Sequence, residues 1–352
     1  MKKILAYILF LIFLCFFIPL VFTNRKAINV SKENTNKNGR EESSNSIQEN
    51  SVSEEYNYNQ YGKVKLLHTE TNKIEELDLD EYVYGVVASE MPASFEIEAL
   101  KAQAIVARTY TIYKIINNDK KHEGADICDD STCCQAWISK QDRMEKWDDE
   151  NKDEYWNKIV SAVDNTKGKI ITYEGKPINA FFHANSGGKT ETPINVWGGS
   201  DYPYLQTVAT SGEDAYSQYS SEIVISKGDF EKKIKDVHGN FNIDFSKKDC
   251  IKIEEYTDGG RVKSIKIGNL KLSGVEIRNI LGLKSANFEV KTEEDNIVFK
   301  VIGYGHGVGM SQTGADSLAK QGKGYKDIIK HFYKNVEIEN IWFSVYFSHI
   351  CK

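Results

Sequence analysis

The chain has 352 residues, 45 Lys+Arg against 51 Asp+Glu for a net charge of −6, 40% apolar and 11% aromatic residues, and only 5 Pro. That balance excludes a collagen-like, mucin-like or wholly disordered chain, and the absence of a basic surplus argues against a general nucleic-acid binder. The length predicts about two domains at roughly one per ~150 residues. A single apolar run of spanning length excludes a polytopic membrane protein.

That run comes first. Lys2 and Lys3 precede Ile4 to Phe22, 19 residues that would rise about 28 Å as a helix, close to the ~30 Å hydrocarbon core. Pro19 near its end is tolerated there. A cleaved signal peptide has an apolar region of about 7–15 residues followed by small residues, and Leu20, Val21 and Phe22 stand where those would be. Residues 1–26 are therefore expected to be an uncleaved N-terminal anchor rather than a cleaved signal. Arg25 and Lys26 flank its far side, so the charges nearby do not fix its orientation. Residues 27–60 are rich in Ser, Asn, Glu and Lys. They cannot bury enough surface to offset the entropy of ordering and are expected to be a disordered tether. The folded part is then 61–352, long enough for a large core or two lobes.

Residues 63–67 alternate like an opening strand. Asp78 and Asp80 are candidate N-caps of a helix running to Ser89, with Leu79, Val83, Val86 and Val87 at helical spacing and Pro92 as its stop. Glu96 to about Asn117 is a long Ala- and Ile-rich helix, and 136–166 reads as mainly helix carrying Trp137, Trp147 and Trp156. Then the period changes. Residues 169–173 and 177–183 flank Glu174-Gly175-Lys176 as a hairpin. Further strands are expected at 223–225, 252–256, 262–267, 288–290 and 297–301, and short helices at 228–236, 273–281, 312–320 and 325–333. Helices and strands mix without regular alternation, so the expected class is α+β: mixed helices and antiparallel strands forming a cleft, behind one N-terminal transmembrane helix.

Of the six cysteines, Cys15 lies in the apolar run and five lie beyond it, an odd number that excludes a complete disulfide framework. Cys128, Cys133 and Cys134 crowd with His122 into 13 residues. Thiolates with an imidazole suit Zn²⁺ in a structural role. The alternative is a local disulfide from Cys128 to Cys133 or Cys134 in an oxidising compartment.

Three stretches carry candidate chemistry. In Val86-Val87-Ala88-Ser89-Glu90-Met91-Pro92, Glu90 ends an apolar helix just before a proline turn. A carboxyl packed there is partly desolvated, which raises its pKa and keeps a proton available for acid catalysis. The seven-residue spacing of Lys101 and Arg108 puts them on one helix face, with Ala104 between them. The plainer reading of all three is a solvated surface. In Phe182-His183-Ala184-Asn185-Ser186-Gly187-Gly188, a strand ending in His opens into small residues that let backbone approach a ligand. In Gly303-Tyr304-Gly305-His306-Gly307-Val308-Gly309-Met310-Ser311-Gln312, glycine at alternate positions points to backbone packed closely on another segment or a substrate. The order G-x-G-x-x-G of a dinucleotide site is absent. His183 and His306 are candidate bases, or groups that bond to backbone and shape the cleft; the second use is favoured. Ser186 and Ser311 lack the setting of a nucleophile elbow.

Taken together, Val87-Ala88-Ser89-Glu90-Met91-Pro92, Ala99-Leu100-Lys101-Ala102-Gln103-Ala104, Ala107-Arg108-Thr109-Tyr110, Phe182 to Gly188, Gly305 to Gln312, and Arg278, Leu281-Gly282-Leu283 and Ser285 resemble the stage II sporulation protein D family, in the family's order over about residues 61–340. The resemblance implies a membrane-anchored, extracytoplasmic lytic transglycosylase acting on peptidoglycan glycan strands stripped of stem peptides during forespore engulfment. It implies an amidase, sporulation protein P, and the membrane protein sporulation protein M as partners. A sister branch of amidase enhancers without established chemistry supplies the alternative, a non-enzymatic helper. By family position Glu90 is the single acid/base. The implied substrate-binding set is Lys101, Arg108, His183, Ser186, Tyr202, Tyr204, His306 and Gln312. The implied zinc ligands are His122, Cys128 and Cys134; many relatives carry His where this chain has Cys133, which makes Cys133 a further candidate.

Overall fold

A computed structural model describes residues 61–117, 121–200 and 202–341. The expected anchor and tether, with Cys15, Asp201 and Cys351, lie outside the described residues. The described chain is α+β, with mixed helices and mainly antiparallel strands. No described helix is long and apolar enough to cross a membrane.

Strand β1 (Lys63–His68) pairs antiparallel with β2 (Lys73–Asp78) and parallel with the short β3 (Ile127–Cys128). Helix α1 (Leu79–Glu90) follows with Asp78 in the N-cap position, although the Asp78 side chain makes no capping bond. The helix ends where Met91 turns extended ahead of Pro92. Its Leu79, Tyr82, Val83, Val86 and Val87 are buried, against α2 (Ile97–Asn117) and α4 (Lys152–Asp164). The mainly helical reading of 136–166 resolves into two helices, α3 (Lys140–Lys146) and α4, each with its own N-terminus; the Ser139 hydroxyl accepts from Asp142 N–H and starts α3.

Helix α2 is the axis of the larger core. Ala99, Leu100, Ala102, Ala104, Ile105, Val106, Ala107 and Ile112 are all buried, so the helix has no broad polar face over its middle turns. Small alanines let α1, α4, α8 (Gln312–Lys320) and α9 (Tyr325–Phe332) approach it closely. At its edge β4 (Lys169–Tyr173) pairs with β14 (Glu337–Asn340) and β5 (Lys176–Pro177). The β4–β5 turn places Glu174 and Gly175 at φ 50° and 72°, the geometry of a two-residue turn that matches strand twist. Strand β5 stops at Pro177 instead of running to 183; one further bond, Ile178 N–H to the Ile171 carbonyl at 3.1 Å, follows it, and the chain is next a strand at Phe182–His183.

A second apolar cluster forms within residues 220–302. β7 (Ser220–Ser226) and β11 (Phe288–Thr292) flank β12 (Asn296–Ile302), while β8 (Ile251–Tyr256), β9 (Val262–Ile267) and β10 (Leu270–Leu272) form another antiparallel sheet. Helices α6 (Lys227–Val237) and α7 (Gly274–Leu281) bury Phe230, Ile234, Ile277 and Leu281 against Phe288, Phe299 and Val301. Ser273 and Glu276 close a full capping box on α7, a device worth about 1 kcal/mol.

The glycine run links this cluster back to the larger one. It leaves β12 and enters β13 (Met310–Ser311), which pairs in parallel with β6 (Phe182–His183). Gly309 has φ 74°, and a Cβ there would stand 1.9 Å from the Phe181 carbonyl oxygen. Gly309→Ala is therefore expected to combine left-handed strain with a backbone clash, costing about 2–4 kcal/mol. A thermal unfolding curve matching wild type would contradict this.

Candidate active site and metal centre

Glu90 is the last residue of α1 and is half-buried. Its Oε1 accepts from the Ala136 N–H at 2.8 Å and its Oε2 from the Gln312 side-chain amide at 3.1 Å. Burial raises its pKa, and these two donors offset only part of that rise. The three elements that meet here are distant in sequence: the end of α1, the loop before α3, and the first residue of α8.

The Ala136 donor is held by the segment before it. His122, Cys128, Cys133 and Cys134 bring one donor atom each to within 4.8 Å of one another. His122 Nε2 is 3.4 Å from both the Cys133 and the Cys134 Sγ, and the two sulfurs are 3.8 Å apart. A tetrahedral ion with Zn–S bonds of ~2.3 Å separates two sulfurs by about 3.8 Å. Three thiols and an imidazole at this spacing fit zinc in a closed, structural arrangement. All the described cysteines are free thiols, so the disulfide alternative is not formed. Cys133 joins the expected three ligands. Burial raises the Cys128 and Cys134 thiols, the opposite of what a bound cation would do. Two residues on from Cys134 is Ala136, and between them the Gln135 amide donates to Tyr82 Oη at 2.9 Å and Thr111 Oγ1 at 3.0 Å. The loop that carries the four candidate ligands is thus stapled to α1 and α2, and presents Ala136 to Glu90.

The two histidines bond to the backbone of one residue, Val308. His183 Nδ1 donates to the Val308 carbonyl at 3.1 Å, and the Val308 N–H donates to His306 Nδ1 at 3.0 Å. Burial, then the nearby Arg261 charge, lowers His183 to about 4. Burial, then His183 and Arg278, lowers His306 well below its ordinary value. Both rings are neutral at physiological pH. His183 Nε2 is a buried acceptor with no hydrogen-bond partner among the described residues. Beside them the Phe181 and Trp197 rings lie 4.7 Å apart between centres, tilted by 41°, and Trp197 lies 5.0 Å from His306. Trp197, the last residue of α5 (Pro193–Trp197), is 50% exposed, a flat apolar face of the kind that sugar rings stack on.

Several expected substrate contacts sit elsewhere. Arg108 is fully buried; its guanidinium donates to the Thr166, Lys169 and Val163 carbonyls and pairs with Asp80 at 3.4 Å. It ties α2 to the α4–β4 connection and cannot reach a ligand. Lys101 pairs with Glu98 at 2.7 Å, and Glu98 in turn accepts from Tyr325 N–H. Ser186 is fully buried and donates to Glu213. Tyr204 is 7% exposed, with its ring against Tyr173 and its hydroxyl accepting from Asn179 N–H. Tyr202 is half-buried 5.7 Å from Tyr204. Gln312, by contrast, reaches Glu90 directly.

Sequence reasoning missed Glu213, Arg261, Trp197 and Ala136. Glu213 is 2% exposed. Burial alone would raise it, but the hydroxyls of Ser186, Ser311 and Thr210 and the Gly188 N–H bring it to about 2. Arg261 is buried and donates to the Lys189, Gly259 and Ser186 carbonyls; a Cβ on Gly307 would lie 2.4 Å from its guanidinium. The one available signal was the glycine run, which announced close packing without naming the partner.

A sequence profile described as "SpoIID: Stage II sporulation protein" matches residues 67–173, a span that contains Glu90 and the four metal-ligating candidates. The chain is 38% identical over 277 residues to the stage II sporulation protein D of Bacillus amyloliquefaciens, covering 78% of each chain. It is 37% identical over 276 residues to that of Bacillus subtilis (strain 168), again 78% of each. It is also 30% identical over 301 residues to the amidase enhancer of Bacillus subtilis (strain 168), covering 71% of this chain and 39% of that protein.

Proposed function

This chain belongs to the stage II sporulation protein D family, and from that premise we propose that it is a lytic transglycosylase of peptidoglycan acting during forespore engulfment. One observation carries the reading: a half-buried carboxyl, Glu90, held on both oxygens by Ala136 and Gln312 and raised in pKa. Burial, one backbone N–H and one neutral amide are what act on its proton. Hydrolytic glycosidases use two carboxylates. An intramolecular transfer needs only one group that acts first as acid and then as base.

In the proposed reaction, protonated Glu90 donates to the oxygen that links N-acetylmuramic acid to N-acetylglucosamine, and the C1–O bond breaks through an oxocarbenium-like state. The muramic C6 hydroxyl then bonds to C1 and returns its proton to the Glu90 carboxylate. Products are an anhydro-muramic end and a free N-acetylglucosamine hydroxyl, with no water consumed. Ala136 and Gln312 stabilise the carboxylate that forms midway. Trp197 and neutral His306 offer a face for a sugar ring. Zinc on His122, Cys128, Cys133 and Cys134 would supply structure, fixing the loop that carries Ala136. The anchor would hold the enzyme on the outer face of the membrane, with a sporulation amidase upstream removing stem peptides.

The test is the full chain in detergent with peptide-free glycan strands and products read by mass spectrometry. Anhydro-muramic ends are expected. Hydrolysed reducing ends would require water and a second carboxylate. No cleavage, with faster turnover of an added amidase, would move the assignment to a helper like the amidase enhancer relative. The raised Glu90 pKa also fixes a sign. Cleavage should hold at acidic pH and decline as pH rises through a value above the ordinary carboxyl range. A rate that climbs with pH over that window would show that Glu90 does not act first as an acid.

A further inference from the structure

Glu213 belongs to none of the motifs discussed above, yet its carboxylate gathers donors from three separate segments. Its Oε1 accepts from the Ser186 N–H at 3.1 Å and the Ser311 hydroxyl, and lies 3.2 Å from the Thr313 hydroxyl, whose one proton is shared with the Ala184 carbonyl at 3.1 Å. Its Oε2 accepts from the Ser186 hydroxyl at 2.5 Å, the Thr210 hydroxyl at 2.5 Å and the Gly188 N–H at 3.0 Å. Ionised carboxylates offer about four lone-pair sites and no donor, so this surrounding is matched to the charged form. Two of the donors, Ser311 and Thr313, stand on either side of Gln312. The Ser311 hydroxyl also accepts from Gly314 N–H as the N-cap of α8, and Thr313 N–H bonds the Ala184 carbonyl at 3.1 Å. The peptide that bears Gln312 is thereby clamped before and after the side chain that reaches Glu90.

We infer that Glu213 is a positioning residue for the acid: through Ser311 and Thr313 it aims Gln312, and through Gln312 it sets the orientation and proton affinity of the Glu90 carboxyl. The inference rests on the reading of Glu90 given above. It explains why an ionised carboxylate is buried where an apolar filler would cost less to desolvate. A glutamine at 213 keeps the shape but turns two N–H donors into a ring of donors, so the clamp opens on at least one side. Glu90 itself is faced by Tyr82 of its own helix, by Ala136 and by Gln312; burial raises the Tyr82 phenol and keeps it neutral. Gln312 is the contact that Glu213 controls.

The experiment compares the full-length protein with its Glu213→Gln, Gln312→Ala and double variants on peptide-free glycan. Glu213→Gln is expected to lower kcat about tenfold, one charge-assisted bond's worth, with KM within about twofold. The basic limb of its pH–rate profile should move to higher pH, because the Glu90 carboxylate has lost a donor. Gln312→Ala should move the same limb in the same direction, and the double variant should move it no further. A Glu213→Gln protein that melts lower but keeps the wild-type kcat and pH limb at a temperature where it is folded would overturn the inference. If that variant does not fold, Glu213→Asp, which keeps the charge and the Ser311 cap but shortens the reach to Ser311 and Thr313, is judged by the same readings. If wild type releases no product, the transglycosylase reading fails, and the inference is judged by the crystal structure of Glu213→Gln. A Gln312 amide out of bonding reach of Glu90 supports it; an amide still at the wild-type distance overturns it.

Discussion

Glu90→Gln is expected to leave a folded protein that releases no detectable anhydro-muramic ends, a loss of at least ~10³-fold, because one group serves both proton transfers. The amide can still accept from Ala136 N–H, and Gln312 can turn its own amide to present an oxygen. The hydrogen bonds around residue 90 therefore survive the exchange while the titratable proton does not. The stability change has a defined sign. Glu90 has a raised pKa in the fold, so the stability of its protonated form is fully present below the ordinary carboxyl value and is lost as pH rises through the raised one. Glutamine does not titrate. The variant should match wild type in melting temperature at acidic pH and exceed it at neutral pH. Product analysis by mass spectrometry, with melts at both pH values, reads both arms. Near-normal cleavage by Glu90→Gln would remove Glu90 from the mechanism.

Stripping the metal is expected to have the second largest effect. Zinc-binding free energy becomes folding free energy wherever the apo site is not preformed. Here only the one loop would depend on the proposed zinc, and the large core around α2 would remain. A contribution of about 3 kcal/mol would lower the melting temperature by roughly 5 °C in a domain of this size. Cleavage should fall as well, since Cys134 lies two residues from the Ala136 donor. Cys134→Ser, or prolonged dialysis against a strong chelator, should reproduce both losses, and zinc returned to the dialysed protein should reverse them. Elemental analysis of carefully purified protein decides the premise. Protein without bound metal and with Cys128 oxidised to Cys133 or Cys134 would make the cluster a redox pair.

The parts that were legible in the sequence share a physical cause: they follow from local pattern. Pro92 and the spacing of Val83, Val86 and Val87 mark the end of α1, and that end places Glu90. Glu174-Gly175 marks a tight turn, and the short helices near 227–237, 274–281, 312–320 and 325–332 follow their apolar period. The crowding of His122 with three cysteines needs no fold to suggest a metal. What escaped depends on partners far along the chain. Arg108 shares a helix face with Lys101, yet α2 is buried around its middle turns, and the carbonyls that receive Arg108 lie 55–61 residues away. Tyr204 and Ser186 look like surface chemistry in isolation but are sealed by Asn179 and Glu213. Glu213, in an ordinary polar stretch, becomes significant only when segments from 186 to 313 converge on it.

The bond between Gln312 and Glu90 spans 222 positions of sequence. Contacts of such separation form late, because the entropy of closing so long a loop must be met before they are rewarded. During synthesis α1, α2 and the cysteine loop emerge well before the glycine run, so a growing chain carries its acid without the amide that completes it. The same holds for any fragment cut ahead of residue 303. For a protein that degrades the wall of its own cell, as proposed here, this order of assembly withholds the finished site until almost the whole folded region has been made, and any single break between α1 and α8 that separates the pieces dismantles it again.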